Sequence, residues 1–216
     1  MLRVNNLVGF GAANPIPDEF SLVHSIVASV DNDSWTQSGV AFGVAHPQRT
    51  MICVVTGHDA ASETSYDVAC TIGGVTATRA ALSIAADGSD SVFASVFIAG
   101  VPSGTTGNVV VTLTSYGGTW DDYAMALWRS TGLASVTPTQ IKEGNLTNTT
   151  VPTKGFFVGG TASIFGTLGA SFSGAGATTI LSSGRTGAIM SRTTPGTVSH
   201  SISNGGSAWA GAAWSF

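Results

Sequence analysis

Charge is the scarcest property of this 216-residue chain: Asp, Glu, Lys and Arg make up only 9% of it, against roughly 25% in an ordinary soluble domain. The Lys and Arg residues number 8, cluster nowhere, and leave a net charge of −4. A surface that tracks phosphates needs several cations close together, so the pattern argues against a nucleic-acid partner. Long hydrophobic runs are missing too. No stretch approaches the roughly 18–20 continuous apolar residues of a spanning helix, so no membrane partner is expected. The opening Met1-Leu2-Arg3-Val4-Asn5-Asn6 lacks the long apolar region of a secretion signal. Cysteine is reduced to Cys53 and Cys70. With no C-x-x-C pair, a zinc ribbon and a dithiol redox motif are excluded.

Catalytic signatures are missing as well. There is no G-x-S-x-G elbow and no phosphate-binding loop, and Gly9-Phe10-Gly11 is only a fragment of a dinucleotide fingerprint. Glycosidases need two carboxyls at a set separation across a cleft, and the scattered acids offer no recognisable pair. His24, His46 and His200 are isolated, with no metal-ligand spacing. The expectation is a non-enzymatic protein with no cofactor.

What is present is glycine, at 28 residues, with abundant Ser, Thr and Ala and a mean hydropathy of +0.31. A chain so poor in charge is expected to pack against copies of itself or against neighbours, as a homo-oligomer. Its length suits a single all-β domain. Residues 1–19 are broken by Gly9, Gly11, Pro15 and Pro17 and read as an irregular N-terminal arm. Residues 20–216 read as one β-sandwich, jelly-roll-like domain. Phe20 to Val30 fits both a helical stripe and strand alternation, and its β-branched residues favour strand.

Strand signals then dominate. They fall at Val40–Ala45, Met51–Thr56, Tyr66–Ile72, Val75–Leu82, Ser91–Ala99, Val109–Thr114 and Tyr123–Arg129. A second set covers Gly155–Thr161, Ala177–Leu181, Gly187–Arg192, Thr197–Ile202 and Trp209–Phe216. Turn residues punctuate both sets at sandwich spacing. Residues 130–153 are rich in Thr, Asn and Pro and read as a long connection. No strict internal repeat is visible.

Pairing Met51–Thr56 with Tyr66–Ile72 as a hairpin puts Cys53 opposite Cys70, Met51 opposite Ile72 and Val55 opposite Val68, all apolar and on one side. The two cysteines are therefore either a disulfide or two small core residues kept reduced. Gly57-His58-Asp59 lies between these strands and reads as a polar loop, because adjacent side chains on extended chain point apart. Asp31-Asn32-Asp33 and Asp87-Gly88-Ser89-Asp90 are oxygen-rich. They match no calcium-loop pattern and read as ordinary turns. Asn145-Leu146-Thr147 and Asn148-Thr149-Thr150 fit the glycosylation acceptor pattern but read as polar loop residues. Trp120-Asp121-Asp122-Tyr123 sets aromatics beside acids, as sugar-binding loops do. Trp35, Trp120 and Tyr123 are accordingly the candidate ligand-facing aromatics for a glycan.

Thr71-Ile72-Gly73-Gly74-Val75-Thr76-Ala77-Thr78 is followed by Val101-Pro102-Ser103-Gly104-Thr105-Thr106-Gly107 and the strand Val109-Val110-Val111-Thr112. Next come Leu127-Trp128-Arg129-Ser130-Thr131-Gly132-Leu133, a Thr137-Pro138-Thr139 loop, and the closing Ala208-Trp209-Ala210-Gly211-Ala212-Ala213-Trp214. This order, with the opening Leu7-Val8-Gly9-Phe10-Gly11, resembles a group of phage and prophage β-sandwich proteins. The resemblance covers residues 1–140 and the final strand, and brings no catalytic residues. It implies a virion structural component, such as a capsid decoration, collar, fibre-base or tail-associated protein. Such a component assembles in the host cytoplasm and has other virion proteins as partners. The alternative is a carbohydrate- or receptor-binding module of a phage fibre.

Overall fold

The computed structural model describes residues 19–29, 32–60, 67–114, 120–144, 148–164, 170–173, 178–183, 187–202 and 207–216, and every regular element among them is a β-strand. The arm proposed at 1–19 lies outside these residues except for Glu19. The first half carries β1 (Glu19–Ser29), β2 (Ser34–Ala41), β3 (Thr50–Asp59), β4 (Asp67–Ile72), β5 (Val75–Thr76), β6 (Thr78–Ala86), β7 (Ser91–Gly100), β8 (Thr106–Thr114) and β9 (Trp120–Thr131). The second half carries β10 (Gln140–Glu143), β11 (Asn148–Val151), β12 (Gly155–Ser163), β13 (Ala170–Ser173), β14 (Thr178–Ser183), β15 (Gly187–Arg192), β16 (Gly196–Ile202) and β17 (Ser207–Ser215).

These strands form four antiparallel sheets. An inner sheet of the first half runs β1-β9-β3-β7-β6, and its outer sheet β2-β8-β4-β5. The second half has an inner sheet β10-β17-β12-β15-β14 and an outer sheet β11-β16-β13. Three apolar cores stack them in the order outer, inner, inner, outer. Met51, Cys53, Val55, Phe97 and Leu127 of the first inner sheet pack on Val68, Cys70, Val109 and Val111 of its outer sheet. On the other face, Ile52, Val54, Val96, Ala126 and Trp128 pack on Phe156, Val158, Ala210, Ala212 and Trp214. Phe157, Met190, Trp209 and Ala213 then meet Val151 and Val198.

The sequence patterns follow from this layering. Strands of an inner sheet are covered on both faces, so β3 and β12 are buried along their whole length and read as continuous apolar runs. An outer sheet has one wet face, so β8 alternates, with Val109, Val111 and Leu113 inward and Asn108, Thr112 and Thr114 exposed. Where β12 approaches β3, a Cβ on Gly160 would lie 2.7 Å from Thr56 and 2.8 Å from Val54. Glycine is what lets these two central strands come so close.

The two halves share one strand order. Matching β1 to β10, β9 to β17, β3 to β12, β7 to β15 and β6 to β14 superposes the inner-sheet orders. Matching β2 to β11, β8 to β16 and β4 to β13 does the same for the outer sheets, and among the described strands only the two-residue β5 lacks a counterpart. The inner sheets meet as a two-fold pair would: β3 packs on its counterpart β12, β9 on β15 while β7 packs on β17, and β1 on β14 while β6 packs on β10. In a symmetric dimer this reciprocity defines an isologous interface. Here it lies within one chain. The repeat is topological, which is why no strict sequence repeat is legible: a buried strand accepts many apolar sequences of suitable volume.

The all-β, sandwich-type expectation is met, and Phe20–Val30 resolves as strand through Ser29. Several local expectations are corrected. β3 pairs with β7 and β9, and β4 with β5 and β8, so the proposed hairpin between them does not form. Its apolar matches arise because the two strands face each other across a core. The connection at 130–153 contains β10 and β11, short strands whose polar residues suit exposed edges. Gly57-His58-Asp59 is no loop; it continues β3. Asn148-Thr149-Thr150 opens β11, while Asn145-Leu146-Thr147 falls outside the described residues.

Candidate functional site

A cluster of polar side chains lies at the C-terminal end of β3. His58 is 4% exposed, and its Nε2 is 3.0 Å from Asp90 Oδ1. Its Nδ1 is 3.8 Å from Asp121 Oδ2, and that same carboxylate oxygen accepts the Ala60 N–H at 2.8 Å. Strand register brings the group together: His58 pairs with Val92 and Asp122, and Asp59 with Ser91 and Trp120. Asp87-Gly88-Ser89-Asp90 closes on itself, with Asp87 Oδ1 accepting from the Ser89 and Asp90 N–H groups and from the Ser89 hydroxyl. That is ordinary turn chemistry. No group of three or more His, Cys, Asp or Glu suited to a metal ion occurs among the described residues. Asp31 lies outside them. His24, His46 and His200 sit on β1, on the turn before β3 and on β16, three separate elements.

The candidate aromatics are not brought to one open face. Trp35 lies on β2 and Tyr123 on β9, with ring centroids 4.1 Å apart and planes at 45°. Tyr123 is fully buried, and Trp35 is half-buried against the same core. Tyr123 as a ligand-facing aromatic is thereby corrected. Strand alternation puts Tyr123, with Met125 and Leu127, into the core between the first inner sheet and its outer sheet. Burial raises its phenol pKa above the ordinary value. Trp120 opens β9, and its side chain lies outside the described residues.

Cys53 and Cys70 stand on facing strands of the two sheets of the first half, in one core, and both are free thiols. Burial, reinforced by the neighbouring Cys70 thiol, pushes the Cys53 thiol well above its usual range.

Two arginines that carried no motif prove structurally central. Arg49, 1% exposed, precedes β3 and sends its N–H groups to backbone carbonyls of Val101 (2.7 Å), Gly43 (3.0 Å), Val44 (3.1 Å), Ser103 (2.6 Å) and Gly104 (2.7 Å). With the Phe42 carbonyl at 3.5 Å as a longer sixth contact, these acceptors engage all three nitrogens of the guanidinium, which carries five N–H donors. Burial, then the like charge of Arg129, lowers its pKa from the ordinary value. In the second half, Arg192 holds the carbonyls of Thr194, Pro195 and Thr197 at 2.7–3.0 Å. Each arginine clamps the loop between matching strands, β7–β8 and β15–β16. A lone Arg beside a buried strand in so charge-poor a chain was the available signal.

The open grooves carry little charge: among the described residues, Arg79 is the one charged residue lining either of two. A shallow groove of about 510 Å³ runs past Thr71, Gly73, Gly74, Ser103, Gly107 and Asn108 at one end of the first outer sheet. A smaller one, about 250 Å³, lies where Arg79, Ile98 and Gly100 meet Val136, Pro138 and Ile141. Among the described residues no helix is long and apolar enough to cross a membrane. Comparison of the chain with family models, curated proteins and solved structures finds no match.

Proposed function

We propose that this chain is a non-enzymatic structural component of a bacteriophage particle that acts by packing against copies of itself and neighbouring virion proteins. The observation that carries the reading is a four-layer stack with exposed aliphatic side chains, in a chain with little charge. Leu22 and Val27 lie exposed on β1, an edge strand of the first inner sheet. Val136 and Ile141 lie exposed beside the smaller groove. Exposed apolar groups on a charge-poor surface suit burial by a neighbour.

The phage-like motifs support the same reading by having geometric roles. Ile72-Gly73-Gly74-Val75 makes the tight β4–β5 turn, with both glycines at positive φ (60° and 80°). Val101-Pro102-Ser103-Gly104 is the loop that Arg49 clamps. The closing strand β17 is the inner-sheet wall against the first half.

The test is analytical ultracentrifugation over a wide concentration range, with antibody detection of the protein in purified particles. Concentration-dependent association and a particle-bound signal are expected. A monomer at high concentration that is absent from particles would overturn the reading.

A further inference from the structure

We propose that Cys53 and Cys70 form a disulfide between the two sheets of the first half when the folded protein meets a small-disulfide oxidant. The two residues reach each other from opposite layers: Cys53 from β3, at the centre of the inner sheet, and Cys70 from β4 of the outer sheet. Both thiols are buried in one core between these sheets, and both are free. Neither strand pairs with the other, so a bond here adds a covalent tie between layers otherwise held by apolar packing and by Arg79 of β6, which bonds Asp67 and the Val68 carbonyl of β4. Cys70 is 2% exposed and Cys53 is not exposed at all, so exchange needs a local opening.

The topology supplies a place for that opening. β4 is next to the end of its sheet, and its outer neighbour β5 pairs only with Thr71 and Ile72. Lifting β4 exposes Cys70 first. Its thiolate attacks one sulfur of the small disulfide, forming a mixed disulfide and releasing one thiol. The Cys53 thiolate then attacks the mixed disulfide, forming the Cys53–Cys70 bond and releasing the second thiol. The two protein sulfurs are oxidised, the small disulfide is reduced to two thiols, and the protons of the protein thiols pass to them. The bond closes the segment holding Asp59 and the start of β4, and restricts the unfolded chain.

The test uses the full chain, incubated with oxidised glutathione at a urea concentration below the unfolding transition. The expected product has lost the mass of two hydrogens, and its proteolytic map links Cys53 to Cys70. It melts higher than the reduced protein by on the order of 5–10 °C, and a reducing agent reverses the shift. Cys53→Ala and Cys70→Ala proteins show no such shift under the same treatment. Three results overturn the proposal: both thiols still alkylate fully on unfolding, glutathione adducts or chain-to-chain bonds form instead, or the linked protein melts no higher than the reduced one.

Discussion

Trp128 and Trp214 are joined across the middle of the molecule by a relay of stacked rings. Phe20 stacks on Trp128 at 6.1 Å and on Phe156 at 4.0 Å, and Phe156 stacks on Trp214 at 5.7 Å. The two tryptophans hold corresponding places, each near the end of the strand beside a central strand: Trp128 pairs with Ile52 and Trp214 with Phe156. The relay crosses from one inner sheet to the other and ties the halves together.

Phe156 is the link both sides depend on. Phe156→Ala is expected to destabilise the protein by about 3–5 kcal/mol, the usual cost of deleting a buried ring and leaving its cavity. Phe20 is half-buried, so Phe20→Ala is expected to cost less. Urea unfolding followed by tryptophan fluorescence measures both, and equal losses would contradict the central place given to Phe156.

The Arg49 clamp depends on a planar fork with five donors. Arg49→Lys keeps the charge but offers three donors from one point, so it leaves carbonyls unpaired. We expect both Arg49→Lys and Arg49→Met to cost about 2–4 kcal/mol. Amide hydrogen exchange should show lost protection at 101–105 before the rest of the stack. Recovery of wild-type stability in the lysine variant would show that charge alone suffices.

Gly155 and Gly100 make a paired test of backbone spacing. A Cβ on Gly155 would collide with the Trp214 carbonyl of the neighbouring strand, whereas one on Gly100 meets nothing within 4 Å. Gly155→Ala is expected to cost about 2–3 kcal/mol. Gly100→Ala should stay within about 0.5 kcal/mol of the parent. Thermal melts of the two variants side by side distinguish the outcomes.

Stability should fall at both ends of the pH scale. Burial lowers the His24 pKa from 6.5, so the unfolded chain takes up the proton first and stability is lost as pH drops below about 6.5. Its Nε2 is buried with no hydrogen-bond partner. His24→Gln should therefore lose less stability than the parent between about pH 8 and pH 5.5. At the alkaline end, burial raises Cys53 above 9.0 and Tyr123 above 10.0. The unfolded chain releases those protons first, so stability falls as pH rises past about 9. Urea midpoints across the range measure both limbs, and a flat profile would contradict the burial of these groups.

Strand positions were legible wherever burial left a pattern. The apolar run Met51–Thr56 and the alternation at Val109–Thr114 mark an inner and an outer strand, because coverage on two faces or one is written into side-chain polarity. The same signal failed at β10 and β11, which are short, polar and at sheet edges. It also failed at the buried polar pair His58 and Asp59: the His58 partner Asp90 lies far along the chain. No local pattern announces a contact made by register.

The sequence by itself determined an all-β chain, poor in charge, with glycine turns and two buried cysteines. Only the tertiary structure decided which strands share a sheet. Cys53 and Cys70 share one core but not a hairpin, since strands of two facing layers satisfy the same apolar matches as neighbours in one. Tertiary structure also decided that the chain repeats, because the repeat lies in strand order and in the reciprocal packing of two inner sheets. Backbone hydrogen bonds set that order, and they are blind to side-chain identity, so residues in matching strands need only be apolar and of suitable size.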